Sequence, residues 1–456
     1  MNIFGTDGIR AQVGTSPLNS EISNLAHAIA TWAERKLQSK KILIAHDTRN
    51  SCHWIKAEIK SKLLLYPNTV YDLGILPTPA VFHLVSKKKL FDLAIIITAS
   101  HNPFSDNGIK IITQEGKLTE KQESEIEKIL EKKEFYSVNF LNLGKEESSL
   151  ATQEYVKDVS KQFESNFLQN KKIILDCANG ATQQLALQVF SLFGANVTTI
   201  NANSNGFNIN QKCGSTDTAQ LQTAVLKNKA DFGIAFDGDG DRVTIVNHDG
   251  EIKDGDDILV LLSKHPSYKE EKNVVGTIMS NEAISQYFRE NNINFLRVDV
   301  GDKNVLKKIK ELNCLIGSEP SGHIIVRNFL ECSDGIFAAL KTLESAILNN
   351  NLKLTTIKKF PNLTKNLQIK YKHDLLQEPL KSIINECKSK IPNGRLVIRY
   401  SGTEPVLRIM IEEKDLDVAN NAMENLIKNL QMYLNNELSA PLESFDKLPD
   451  FTLRSS

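Results

Sequence analysis

Leu93-Ala94-Ile95-Ile96-Ile97-Thr98-Ala99-Ser100-His101-Asn102-Pro103 passes from a short apolar run straight into small and polar residues. An uninterrupted apolar run of this length reads as a strand buried on both faces in a parallel sheet. Ser100 follows its carboxyl end, where open α/β sheets place their ligands. Asp106-Asn107-Gly108-Ile109-Lys110 comes next, and Pro103 and Gly108 predict a rigid, sharply turned loop. Taken alone, Ser100 also fits a serine that caps the following turn. No G-x-S-x-G elbow surrounds it, so hydrolase chemistry is not indicated.

Outward from this stretch, strands and helices alternate. Helical spacing over 19–37 is followed by a strand at 41–45, a helix at 54–65 and a strand at 70–73, with a charged helix at 119–133 after the Ser100 loop. The alternation resumes with a helix at 151–168, strands at 172–176, 196–200 and 232–236, and helices at 181–194 and 217–228. A third round has strands at 274–279, 295–300 and 314–316 and helices at 281–290, 303–311 and 334–348. "KILIAHDTR" at 41, "KIILDCANG" at 172 and "NVVGTIMSN" at 273 share one plan, a strand running into a polar loop. Beyond 355 two strands, 394–399 and 407–411, flank a tight loop before a helix at 415–434. The expected domains are 1–148, 149–247, 248–355 and 356–440, with a tail at 441–456.

The chain of 456 residues is long enough for three or four domains. Its 55 basic and 55 acidic residues cancel, which gives no support to binding nucleic acid or a membrane surface through bulk charge. No apolar run approaches the ~20 residues that span a bilayer. Met1 to Gly5 lacks the start of a signal peptide. Cys52, Cys177, Cys213, Cys314, Cys332 and Cys387 form no C-x-x-C pair and read as reduced core thiols, so the expected compartment is the cytoplasm.

Four polar loops carry chemistry. Asp237, Asp239 and Asp241 alternate with glycines after a buried strand, and carboxylates that close together need a cation. Hard oxygen ligands select Mg²⁺ or Ca²⁺. Arg242 and His248 occupy the positions where an EF-hand needs Gly and Glu, which excludes that motif. Arg399, Ser401, Gly402, Thr403 and Arg408 offer guanidiniums, hydroxyls and open backbone, as a phosphate dianion requires, without the layout of a nucleotide P-loop. Glu319 and Ser321 suit sugar hydroxyls, and His323 is available for proton transfer. Phe4-Gly5-Thr6-Asp7-Gly8-Ile9-Arg10 is a glycine-bounded turn from which Arg10 can clamp an anion.

Together these loops resemble the α-D-phosphohexomutase superfamily. The resemblance spans about residues 3–411 and rests on Ser100 to Pro103, on Asp237 to Arg242, on Glu319 to His323 and on Arg399 to Pro405. It implies three similar mixed α/β domains plus a C-terminal α+β domain around a central cleft. It implies a phosphoserine at Ser100 and one Mg²⁺ on Ser100, Asp237, Asp239 and Asp241. Ser100, Arg10, His101, Lys110, Arg242 and His323 become the catalytic set, and Glu319, Ser321, Arg399, Ser401, Gly402, Thr403 and Arg408 the substrate-binding set. The implied substrate is a hexose or hexosamine phosphate. "FNINQKCGSTD" at 207 and "ADFGIAFDGDGDRV" at 230 are most similar to the branch acting on glucosamine phosphates. Pro320 departs from the family, which carries Gln in that branch and Met in the glucose and mannose branch. Cys52, Ala11, Lys303 and Ser333 depart from it elsewhere. A homodimer is an option that the sequence leaves open.

Overall fold

The structure, a computed structural model, describes residues 3–5, 7–37, 40–369, 371–400 and 405–436. The chain forms two compact units, Met1–Thr277 with Leu296–Thr356, and Ile278–Phe295 with Ile357–Ser456.

In the first unit Leu93–Ile97 is a strand with every residue buried. It runs parallel to Lys41–His46 but antiparallel to Asp106–Thr113, so the sheet is mixed rather than parallel. The residues expected to be a loop from Asp106 to Lys110 are the start of that antiparallel strand. Gly108 lies in the ladder opposite Arg10, where a Cβ would stand 2.4 Å from the Ile9 carbonyl oxygen and 2.6 Å from that of Thr98. This glycine marks a close approach of backbones, not a turn. The full order places Ile9–Gln12, Asp106–Thr113, Leu93–Ile97, Lys41–His46, Thr69–Ile75 and Lys145–Glu147 side by side. Ile42, Ile44, Ile95 and Ile97 face helices Ile22–Lys36, Cys52–Leu63 and Glu120–Lys132, meeting Leu25, Ile29, Ile55, Ile59 and Ile126 in one core.

A second sheet orders Ile252–Lys253, Val243–Asn247, Phe232–Phe236, Lys172–Asp176 and Asn196–Ile200. Its last three strands are parallel, and Val243–Asn247 returns antiparallel to Phe232–Phe236. In a third sheet Asn273–Thr277 is parallel to Ile316–Ser318, which Ile324–Val326 flanks in the opposite sense. In each sheet a polar loop links a strand with a parallel neighbour to the antiparallel strand that follows. These loops are 98–105, 237–242 and 319–323. The helix expected at 151–168 ends at Ser160. Phe163 and Phe167 pack from turns, their rings 5.2 Å apart and Phe163 also against Phe193 and Phe337.

The second unit has an antiparallel sheet in the order Asn362–Gln368, Val406–Glu412, Arg395–Tyr400. Ile384 of helix Leu380–Ser389 and Met423 and Leu426 of helix Leu416–Asn436 pack on Ile398, Ile409 and Ile411. Buried Arg395 donates from Nε to Glu412 Oε2 (2.6 Å) and from its other nitrogens to the carbonyls of Ile278 and Ser280 (2.5 Å each). Glu412 in turn accepts from the Glu282 N–H at 3.0 Å and from Asn281 Nδ2 at 3.3 Å. That contact ties residues 278–282 to this sheet. All six cysteines are buried free thiols.

Asp334 caps helix Gly335–Leu348, accepting from the Phe337 N–H at 3.0 Å and from the Tyr155 hydroxyl at 2.9 and 3.0 Å. Burial raises its carboxyl from 3.8 to about 6. The stability due to this elevation is complete below about pH 4 and is lost as pH rises through about 6. The gap corresponds to about 3 kcal/mol. Asp334→Asn keeps the acceptor and removes the titration. The melting temperature of the variant relative to the parent protein should therefore rise between pH 4.5 and pH 7.5, and a constant offset would contradict this assignment.

Candidate active site

Ser100 is buried and holds a left-handed backbone, φ 51°. Its hydroxyl donates to Asp237 Oδ2 at 2.6 Å. The other oxygen of Asp237 accepts the N–H groups of Gly240 and Arg242, each at 3.1 Å, so the turn after Phe236 fixes its own first carboxylate. Gly238 passes so near Ser100 that a Cβ there would stand 2.5 Å from the Ser100 carbonyl oxygen. Alternate spacing then directs Asp239 and Asp241 to the same point.

Asp239 Oδ2 accepts from the Thr78 hydroxyl at 2.5 Å and from Lys110 Nζ at 2.8 Å. Asp241 Oδ2 accepts from Lys110 at 3.0 Å. The Oδ1 atoms of both residues are buried without a hydrogen-bond partner. The three carboxylates offer oxygens within 4.8 Å of one another. A compact, buried, all-oxygen donor set with two orphaned carboxylate oxygens suits a hard divalent cation.

Lys110 is the counter-charge on the inner side. Its ammonium also meets Asp7 Oδ2 at 2.8 Å. Burial opposes its charge, but Asp239, Asp241 and Asp7 outweigh burial and hold its pKa well above the ordinary value. Burial likewise pushes Asp241 up, yet Lys110 and His323 bring it down to about 2. Among the described residues no such cation contacts Asp237. Burial and the neighbouring Asp241 and Asp239 drive its pKa well above the usual carboxylate range. Charges of alternating sign continue outward, because Asp7 also takes Arg10 Nη2 at 3.0 Å and Lys117 at 2.7 Å, and Lys117 reaches Asp302 at 2.6 Å.

The loop 319–323 lies against the carboxylate loop. The Val243 N–H donates to the Gly322 carbonyl at 3.0 Å, and Arg242 Nε donates to His323 Nε2 at 3.0 Å. A guanidinium only donates, so His323 Nε2 accepts and the ring proton sits on Nδ1, which faces Asp241 Oδ1 at 3.6 Å. Glu319 is buried and accepts the Gly301 N–H at 2.9 Å, while Ser321 is exposed. His101 Nδ1 stands 3.4 Å from Ser100 Oγ. Burial first, then Arg242 and Arg10, lower its pKa to about 4, so the ring is neutral at pH 7.

Ser100, His101, Lys110, Arg10, Arg242, Asp237, Asp239, Asp241, Glu319 and His323 thus occupy one unit. Arg399 and Arg408 belong to the other, directly opposite each other in the ladder. Cations so placed share one face of the hairpin, an arrangement suited to an anion. The expected phosphate ligands Ser401, Gly402 and Thr403 lie outside the described residues. Sequence reasoning missed Asp7, Thr78, Lys117 and Asp302 as parts of the charge network. Asp7 stood inside a turn already singled out, but Lys117 and Asp302 have no local signature, since only the fold makes them neighbours.

Four family descriptions match in succession. They are phosphoglucomutase/phosphomannomutase alpha/beta/alpha domain I at 1–137, domain II at 153–250, domain III at 254–362 and the C-terminal domain at 356–428. A phosphoglucosamine mutase of Buchnera aphidicola is 38% identical over 449 residues, covering 94% of this chain and 97% of that protein. One of Photorhabdus laumondii is 39% identical over 444 residues, covering 93% and 97%. A crystal structure of a phosphoglucomutase/phosphomannomutase family protein from Burkholderia thailandensis matches with a TM-score of 0.79 at 19% identity, over 94% of this chain and 97% of that one.

Lys110→Met should test the counter-charge. It leaves buried Asp239 and Asp241, with half-buried Asp7, facing one another without their counter-charge, a loss on the order of 3–5 kcal/mol. The melting temperature in chelator should fall by several degrees, and added Mg²⁺ should recover more of it than it adds to the parent protein. An unchanged melting temperature would refute the role given to Lys110.

Proposed function

The chain belongs to the phosphoglucomutase/phosphomannomutase family, and from that premise we propose that it interconverts glucosamine 6-phosphate and glucosamine 1-phosphate through a phosphorylated Ser100. The observation that carries this reading is the 2.6 Å bond from Ser100 Oγ to Asp237 inside a buried cluster of three carboxylates. A buried serine so placed has its oxygen beside the natural seat of a cation, as phosphoryl transfer requires.

Asp237, Asp239 and Asp241, with the Ser100 oxygen, would hold one Mg²⁺ per chain. Bound there, it would neutralise charge on the transferring phosphoryl group. In the first half-reaction the P–Oγ bond of Ser100 breaks and a bond to a sugar hydroxyl oxygen forms, giving a bisphosphorylated sugar. The sugar turns around. Its other phosphoryl group returns to Ser100 Oγ, and the oxygen that it leaves regains a proton. One proton is lost and one is gained, so the cycle balances. His101, which is neutral, and His323, whose Nε2 accepts, are the groups at hand to exchange it. Arg10 and Arg242 offset charge on the phosphoryl oxygens, while Lys110 holds Asp239 and Asp241 in place. Glu319 and Ser321 take sugar hydroxyls, and Arg399, Ser401, Gly402, Thr403 and Arg408 grip the phosphate that is not reacting. The same reading assigns one loop to each of the domains 1–148, 149–247, 248–355 and 356–440. No described helix is long and apolar enough to cross a membrane. We assign the chain to the cytoplasm, where its sugar phosphates would be found.

Pro320 has neither the side-chain amide of the glucosamine branch nor the thioether of the other, which makes glucose and mannose phosphates the comparison substrates. A coupled assay on the three hexose 6-phosphates should show the highest kcat/KM for glucosamine 6-phosphate. Ser100→Ala should lose at least about a thousandfold in kcat. Intact-mass measurement should find one phosphate on the parent protein and none on the variant. Turnover by Ser100→Ala, or a preference for mannose or glucose phosphate, would overturn this assignment.

A further inference from the structure

Two side chains that the chemistry above does not use close on the same pair of main-chain oxygens from opposite sides. Arg49 Nη2 donates to the carbonyls of Ser100 and Asn102, each at 2.9 Å. Asn210 Nδ2 donates to the same two carbonyls, at 2.8 and 3.1 Å. A carbonyl oxygen has two lone pairs, so both are engaged at each residue. Arg49 comes from the loop after the Lys41–His46 strand of the first sheet, and Asn210 from the long loop after the Asn196–Ile200 strand of the second.

Arg49 is buried, with its side chain 0% exposed, and its remaining donors are also taken. Nε donates to Asp47 Oδ2 at 2.9 Å, and Nη1 to the carbonyls of Pro103 and of Asp106, the latter at 3.0 Å. Asp47 Oδ2 also accepts the Thr98 hydroxyl at 2.7 Å, and the Thr98 oxygen accepts the Ser100 N–H at 2.9 Å. Both polar groups of the Ser100 main chain are thereby fixed. Asn210 has a left-handed backbone, φ 57°, anchored by its own N–H on the Ala178 carbonyl at 2.9 Å. Phe104 and Phe207 stack edge to face at 5.5 Å and draw the same two loops together.

Ser100 also has positive φ, a strained region for a serine that persists only where its surroundings over-determine it. Of the bonds that hold it there, one pair crosses between two sheets. The site of transfer is divided along the same seam, Ser100 on one sheet and Asp237 on the other.

We propose that Arg49 and Asn210 are positioning residues for phosphoryl transfer, a two-sided clamp that fixes the Ser100 and Asn102 carbonyls and thereby holds Ser100 Oγ on Asp237. The proposal rests on Ser100 being the phosphoryl carrier. Neither side chain is assigned a contact with substrate, so the clamp acts on the chemical step and not on substrate affinity. Displacement of a reacting atom by about 1 Å lowers a rate by about a hundredfold.

The test uses the full chain with Mg²⁺ and glucosamine 6-phosphate, and compares Asn210→Gly, Arg49→Lys and Ser100→Ala. Glycine keeps the left-handed backbone at 210 while deleting the amide. Lysine keeps the charge at 49 but not the planar fork that reaches several carbonyls. Asn210→Gly should lower kcat at least about tenfold and Arg49→Lys about a hundredfold, with KM within about twofold of the parent value and kcat counted per folded chain by circular dichroism. If Ser100→Ala is inactive while both clamp variants stay within about twofold of the parent kcat, the proposal is overturned. A fall in kcat that vanishes on counting only folded chains overturns it as well. Should Ser100→Ala itself turn over, the carrier reading fails first, and this outcome is distinct from the other two.

Discussion

Lys110 directs its ammonium at three carboxylates from two places: Asp7 in the N-terminal turn, and Asp239 and Asp241 in the second sheet's loop. Bringing those acids together without it would set like charges against each other in a medium that screens them poorly. With it, Asp239 and Asp241 each have Oδ2 satisfied, and among the described residues their buried Oδ1 atoms stand without hydrogen-bond partners. One buried cation therefore both permits the carboxylate cluster and orients it. The alternation of sign through Asp7, Lys117 and Asp302 extends this order to the helix Asp302–Leu312, whose first turn adjoins the Gly301 N–H that holds Glu319. Polar networks of this kind specify a geometry only when every member is paired.

The loops of the first unit share a topological position. Each leaves the carboxyl end of a strand with a parallel neighbour and returns as an antiparallel strand. The strand–loop–strand unit is tighter than a strand–helix crossover, so the loop cannot wander from the sheet edge. Repetition of one plan, rather than any likeness between the loops themselves, supplies Ser100, the acidic triad and Glu319 at matching positions of successive sheets.

Much of this was legible in the sequence. Strands such as 172–176 and 232–236 fall where apolar runs predict them, because a doubly covered strand has no polar face to obscure the pattern. The acidic triad was legible because three carboxylates alternating with glycines after a buried strand cannot stay close without a cation, and the structure brings the three together. The antiparallel strand at Asp106–Thr113 was not, since Asn107-Gly108 imitates a turn when its partner strand is out of view. The short Ile9–Gln12, Ile316–Ser318 and Ile324–Val326 strands were hidden or misplaced for the same reason, being too brief to show a period. The charge network beyond Lys110 was beyond reach. Asp7, Lys117 and Asp302 are ordinary surface letters until the chain folds them into contact.

Residues 278–295 interrupt the third α/β round, yet Arg395 and Glu412 bind their backbone into the C-terminal unit. That unit is therefore assembled from two pieces of chain separated by sixty-odd residues that belong elsewhere. During synthesis the earlier piece leaves the ribosome well before the strands that will receive it. At the usual pace of about 5–20 residues per second, it waits on the order of ten seconds for Arg395 and Glu412 to emerge. The order of translation and the order of assembly thus differ in this protein, and helix Glu282–Glu290, with its buried Ile284 and Phe288, must be sheltered or tolerated in the interval.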